Sequence, residues 1–336
     1  MAGKKNNTAI LLYCAQNISP NLETLSKKAK NIQRRRNIED IHDIRVSSRR
    51  VRTNLSIFEN YLPQKKAKIW QRDIKGITKA FGNVRDLDVQ IDLVNQIYKK
   101  VEDKSIRSGL RRIRLRLKQK RQQKQDKTQQ ITQNILESTT FVELQAWAKS
   151  ILEKGEGNLD SRSNLYQLGY EHIQKRLDEF LFFEVFIFDP ARIEELHQMR
   201  IAAKQLRYAL EVFSDLYMKK TDFALDIARQ SQQFLGEIHD ADVWKTFLPN
   251  FMEKEYKRVQ DFYGYTSPYS RLKPGIEYLL QDRTKERDRL YSEFLTSWKN
   301  WKLKETWLNL RKIIFLTNLE EQPSQTNTSD EQQEQT

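Results

Sequence analysis

Two twelve-residue stretches of this chain repeat one pattern half a chain apart. "IHDIRVSSRRVR" spans Ile41 to Arg52 and "LHQMRIAAKQLR" spans Leu196 to Arg207. His42, Arg45, Arg49 and Arg52 correspond to His197, Arg200, Lys204 and Arg207 at an offset of 155. Leu55 and Phe58 then correspond to Leu210 and Phe213. A second block follows each in the same order: "GNVRDLDV" (Gly82 to Val89) and "GEIHDADV" (Gly236 to Val243), at an offset of 154. Two matched blocks in one order predict an internal duplication, with two similar halves about a middle linker.

The residue types point to helices. Glycine and proline number ten and seven in 336 residues. Leu, Ile, Lys, Arg, Gln and Glu dominate, and most of these favour helix. Ile41, Ile44, Val51, Leu55 and Phe58 recur at helical spacing, and no alternating strand pattern with hairpin turns stands out. The expected fold is all-α, as long helices. "KGEGNLDSRSN" (Lys154 to Asn164) is the expected linker, between a first half of about 10–153 and a second of about 165–318. "YTSPYSRLKPG" (Tyr265 to Gly275) reads as a further loop. The segment 320–336 is acidic and Gln-rich and reads as a disordered tail. Trp298, Trp301 and Trp307, with Phe294, read as core of the last helix.

Placed on a helix, the duplicated block has a definite geometry. At about 100° per residue, His42, Arg45, Arg49 and Arg52 fall within an arc of about 80°. The apolar residues occupy about 160° to 260°, so the cations border the buried face. The second copy has the same angles. A basic strip beside a core face lines the groove between packed helices, and two strips brought together would line one basic channel.

Charge supports a polyanionic partner. Lys plus Arg number 59 against 45 Asp plus Glu, a net charge of +14. Further cations could extend the channel: Lys75 and Arg229, which match at 154, Lys120 and Lys124 in one half, and Arg283 and Arg287 in the other. Most charges of the very basic run Leu110 to Lys127 read as a solvated helix face. Asp86, Asp88, Asp240 and Asp242 read as capping or starting helices after loop glycines. The single cysteine, Cys14, excludes an intramolecular disulfide and a Cys-based zinc site and suits a reducing cytoplasm. "AILLYCA" (Ala9 to Ala15) reads as helix rather than signal peptide, and no stretch is long and apolar enough for a membrane span.

"HDIRVSSRRVRTNLSIF" and "HQMRIAAKQLRYALEVF", each followed by G-x-x-[RH]-D-x-D-V, resemble the two halves of a CHAD domain (conserved histidine α-helical domain) over about residues 10–318. The resemblance implies two pseudo-symmetric four-helix bundles around a central basic pore or groove. It implies a module that binds inorganic polyphosphate, recruits proteins to it at polyphosphate granules, and has no catalytic residue, metal or cofactor of its own. Carried over, the contacts would be His42, Arg45, Arg49, Arg50 and Arg52 from the first half and His197, Arg200, Lys204 and Arg207 from the second. Gln205 stands where the first half has Arg50, and His239 where it has Arg85.

Two rivals stay open at this level. A basic strip also fits nucleic acid, although Ile41 to Arg52 contains none of the aromatic platforms that single strands use. A metal-dependent phosphohydrolase could draw on His197, His239, Asp240 and Asp261 or Asp282, but the counterpart of His239 is Arg85, which cannot ligate metal. His239 then reads as a cation or a helix-end contact, and His172 as a packed or surface residue. "EKEYK" (Glu253 to Lys257) formally fits the E-x-E-x-K of triphosphate tunnel enzymes, but it lies in a helical pattern rather than on a strand.

Overall fold

The computed structural model describes residues 8–34, 38–155 and 162–321, and every regular element among them is helical. The helices are α1 (Thr8–Arg34), α2 (Ile38–Ile57), α3 (Gln64–Lys100), α4 (Lys104–Glu137), α5 (Thr139–Lys154), α6 (Ser163–Leu181), α7 (Ile193–Phe213), α8 (Asp222–Tyr263), α9 (Ser267–Ser270), α10 (Lys273–Leu303) and α11 (Thr306–Glu320). Local chemistry sets several boundaries. The Asp103 carboxylate accepts from the Ser105 amide at 2.7 Å and starts α4, and the Ser138 hydroxyl accepts from the Phe141 amide to start α5. Gly264 ends α8 in the left-handed conformation, at φ 75°.

α1 packs on α2, α4 and α5, and α2 and α3 each pack on the helix that follows. α7 packs between α6 and α8, α8 on α10, and α11 on α6. The two groups join where α2 meets α7 and where α4 meets α10. Apolar burial follows this plan. A large core takes Ile44, Val51, Leu55 and Phe58 from α2 together with Met199, Leu206, Leu210 and Phe213 from α7, all fully buried. A smaller core gathers Leu87 and Val94 of α3, Leu110 and Ile113 of α4, Trp244 and Leu248 of α8, and Ile276 and Leu279 of α10. The long helices α3 and α8 run through both cores and hold them at a fixed spacing.

Several expectations change. Gly82 to Val89 and Gly236 to Val243 do not begin helices after loops; they lie inside α3 and α8. Their aspartates therefore cap nothing. Asp88 holds Arg121 at 2.9 Å, and Asp242 holds Arg287 at 2.7 Å in a buried pair. The basic run of α4 is also less solvated than its composition suggests. Arg116 and Arg112 close on the fully buried Glu255 of α8 at 2.7 and 3.5 Å, and Arg258 joins them at 2.6 Å. Three guanidiniums compensate the desolvated carboxylate, and they explain why "EKEYK" carries a buried acid on a helix. The Tyr265 to Gly275 segment contains the short helix α9. Trp298, Trp301 and Phe294 are buried in α10, while Trp307 belongs to α11, beyond a break at Glu305 (φ 50°). The middle of the expected linker, 156–161, and the tail 322–336 lie outside the described residues.

Candidate functional site

The apolar faces of α2 and α7 pack into one core, and this brings their basic edges together. Lys204 of α7 is partly buried among Arg200 on its own helix and Arg52, Arg49 and Arg45 on α2. Burial first, then these four guanidiniums in that order, hold the Lys204 ammonium below the ordinary lysine range. Arg49 is likewise pushed down, mainly by burial and also by Arg207 and Arg45. Its guanidinium lies over the ring of Tyr208, 4.8 Å from the centroid, and Arg207 approaches the same ring at 5.5 Å. The Nε atoms of Arg49 and Arg200 are buried without a hydrogen-bond partner.

The mid-helix glycines face this junction. A Cβ on Gly82 would lie 4.0 Å from Arg45 Nε, and one on Gly236 would lie 3.5 Å from Arg200 Nε. Gly82 and Gly236 thus mark where Arg45 and Arg200 pass beside α3 and α8. One turn on along α3 and α8 come Asp86, near Arg45 and Arg200, and Asp240, near Arg200. Burial raises both carboxyls above their usual range, Arg45 and Arg200 oppose this for Asp86, and Asp86 itself further raises Asp240. The junction therefore sets two arginines near two partly buried carboxyls that burial and mutual repulsion make harder to ionise.

The histidines divide. His197 Nδ1 meets His239 Nδ1 at 3.1 Å, with ring centroids 4.1 Å apart. Burial, His197 and Arg200 push His239 below the ordinary imidazole range, which disfavours its cationic form. Among the described residues no group of three or more His, Cys, Asp or Glu side chains is arranged to hold a metal ion. His42 is partly buried near the start of α2.

Two cavities flank the junction, divided by Thr53 and Tyr208, which line both. The first, about 610 Å³, is lined by Arg52, Lys68, Arg72, Lys75, Arg176 and His172, and no carboxylate lines it. The second, about 550 Å³, holds Arg49, Arg50 and Arg229 together with Glu211, Asp215, Asp222 and Asp226. Arg207 and Arg229 are partly committed in the unliganded chain: Arg207 Nε donates to Glu211 at 2.9 Å, and Arg229 pairs with Asp226 at 2.9 Å.

The other sequence-derived cations stand apart. Arg287 is buried, donating to Asp242 and to the Pro190 carbonyl at 2.7 Å each. Arg283 turns to its neighbour Asp282, with Nε donating at 2.8 Å. Lys120 is exposed and Lys124 partly buried on α4, and neither lines the two cavities. Conversely, Lys68, Arg72, His172 and Arg176 join the first cavity without having been marked by any motif.

Comparison with known proteins gives the family. The CHAD domain family model matches residues 17–249, more than half of the chain. The chain belongs to the CHAD domain family. Among solved structures it is similar to the crystal structure of the CHAD domain from the plant Ricinus communis. The match has 22% identity over 81% of this chain and 91% of that chain, with a TM-score of 0.48. No curated protein matches.

Proposed function

We propose that this chain is a binding module for inorganic polyphosphate, held along the meeting edges of α2 and α7, with no chemistry of its own. The observation that carries the reading is the cluster around Lys204. Five cations from two helices converge, all partly buried, and burial together with the neighbouring guanidiniums disfavours the charged forms of Lys204 and Arg49. Such a cluster is costly without anions, and a chain of phosphates would relieve it. Polyphosphate is a flexible series of tetrahedral anions. It needs cations in series, with arginine offering paired donors and lysine a point charge.

In this reading the two halves are copies of one helical unit and the junction is a basic groove between them. The paired placement of Arg45 over Gly82 and Arg200 over Gly236 supports it. So do the two flanking cavities, in which Lys75 and Arg229 occupy matching places. A granule rich in polyphosphate is the location such a module would seek. No helix among the described residues is long and apolar enough to cross a membrane.

A competition titration tests the function. Long-chain polyphosphate, single-stranded RNA and duplex DNA compete for the protein at physiological salt, with phosphate release followed in parallel. Polyphosphate should win and no phosphate should appear. Equal binding of RNA, or steady release of phosphate, would sink the reading. The double reversal Arg45→Glu with Arg200→Glu should abolish binding while the helical circular dichroism is kept.

A further inference from the structure

The two cavities beside the junction are built from equivalent positions. At the offsets of 154 and 155, Lys68, Arg72 and Lys75 of the first correspond to Asp222, Asp226 and Arg229 of the second. Ser56 corresponds to Glu211, and Tyr208 to Thr53. His172 and Arg176 on α6 correspond to Asn17 and Asn21 on α1. The places match, but the charges have diverged.

We infer that the duplicated fold keeps only one phosphate seat: the carboxylate-free cavity takes a run of condensed phosphates, and its counterpart excludes them. This rests on the polyphosphate reading above and adds which side of the junction is occupied. In the first cavity five side chains are Lys or Arg. Arg72 also meets Asp73 and Arg176 meets Glu179, but neither carboxylate lines the cavity. In the second, three arginines face four carboxylates. Glu211 alone engages Arg207 at 2.9 Å and lies 3.8 Å from Arg229. A phosphate run entering there must break these pairs and then sit against four negative groups. One entering the first cavity meets donors on α2, α3 and α6, with His172 able to gain charge beside it. The shared wall of Tyr208, stacked by Arg49, separates the two.

The inference predicts one bound anion per chain and makes particular positions interchangeable. The test is calorimetric titration of the full chain with tripolyphosphate and with long-chain polyphosphate. Two variants exchange cavity identities: Lys68→Asp with Arg72→Asp, and Glu211→Ser with Asp226→Arg. The native chain should take one tripolyphosphate. The first variant should bind it at least tenfold more weakly, and the second should take two. Lys68, Arg72 and Asp226 are exposed and Glu211 is partly buried, so circular dichroism with a melting curve checks each fold. Two anions on the native chain, or native affinity in the first variant, would overturn the one-sided seat while leaving the polyphosphate reading standing. Failure of the native chain to bind either phosphate would remove that reading and this inference with it.

Discussion

His197 and His239 face each other Nδ1 to Nδ1 at 3.1 Å, on α7 and α8. One ring must donate and the other accept, and burial with the neighbouring imidazole makes His239 resist protonation. Arg200 on the same helix strengthens the resistance, while Glu194 and Asp242 oppose it. Phosphates at the junction would reverse the balance, because nearby anions raise an imidazole's pKa. His172, held low by burial and then by Arg176 and Lys175, should respond in the same direction. Binding then takes up protons, and polyphosphate affinity should rise as the pH falls from about 7.5 to about 5.5. Titration in buffers of different ionisation enthalpy measures that uptake. A proton uptake of zero at pH 6.5, or a His239→Asn variant with an unchanged pH profile, would refute this role.

Asp242 and Arg287 illustrate the opposite use of charge. The pair is buried and a second Arg287 donor is taken by the Pro190 carbonyl, so it ties α8 and α10 to the turn before α7. Asp242→Ala leaves a guanidinium without a counter-ion and should cost about 3–5 kcal/mol in denaturant unfolding. The double change Asp242→Leu with Arg287→Met should recover most of that loss. If the single and double variants unfold at the same denaturant concentration, the pair is not the source of the penalty.

The glycines divide into two classes with opposite expected effects. Gly109 of α4 and Gly275 near the start of α10 bring two backbones together. A Cβ on Gly109 would come within 2.8 Å of the Gly275 Cα, and one on Gly275 would collide with the Ile106 carbonyl. Backbone cannot step aside, so Gly275→Ala should destabilise by about 1–3 kcal/mol or more. At Gly82 and Gly236 a Cβ meets only an arginine Nε at ordinary contact distance. Alanine there should stabilise α3 or α8 by up to about 1 kcal/mol through helix propensity. Leucine at Gly236 should displace Arg200 and weaken polyphosphate binding. Melting curves and titrations of the four variants separate the classes, and a stabilising Gly275→Ala would contradict the close crossing.

What the chain made legible follows from where periodicity carries information. The spacing from Ile41 to Phe58 placed His42, Arg45, Arg49 and Arg52 at the edge of a buried face, and the echo at Leu196 to Phe213 pointed to the second strip that meets it on α7. Pairings between distant helices leave no such trace. Nothing in the sequence marks Glu255 as the carboxylate that absorbs Arg112 and Arg116, some 140 positions away, so a run that reads as solvated is in part internal. The G-x-x-[RH]-D block misled for a local reason. Glycine usually signals a turn, but here both glycines lie mid-helix beside an arginine, where even a Cβ would be accommodated. His172 and Arg176 carry no motif on α6. Their place opposite Lys68 and Arg72 became visible only once the cavity had a shape. The charge contrast of Lys68 and Arg72 with Asp222 and Asp226 was nevertheless present at the 154 offset.

Lys204 gives the sharpest separation of stability from binding. Its ammonium is partly buried among Arg200, Arg52, Arg49 and Arg45, and its pKa is held below the model-peptide value of 10.5. For a base, a folded-state pKa below the unfolded one means that the charged form opposes folding. That cost is present in full at neutral pH and fades as the pH rises through the folded value toward 10.5. Lys204→Met keeps the stem, which packs beside the core, and removes the charge. The unliganded variant should therefore melt higher than the native chain, while its polyphosphate affinity falls and the salt dependence of binding becomes shallower by about one phosphate contact. Added salt should raise the native melting temperature more than the variant's, because screening relieves the same repulsion. Saturating polyphosphate should reverse the order, with the native chain the more stable of the two. If Lys204→Met melts lower than the native chain at every salt concentration, the cluster around Lys204 does not oppose folding, and the claim that anions relieve it loses its basis.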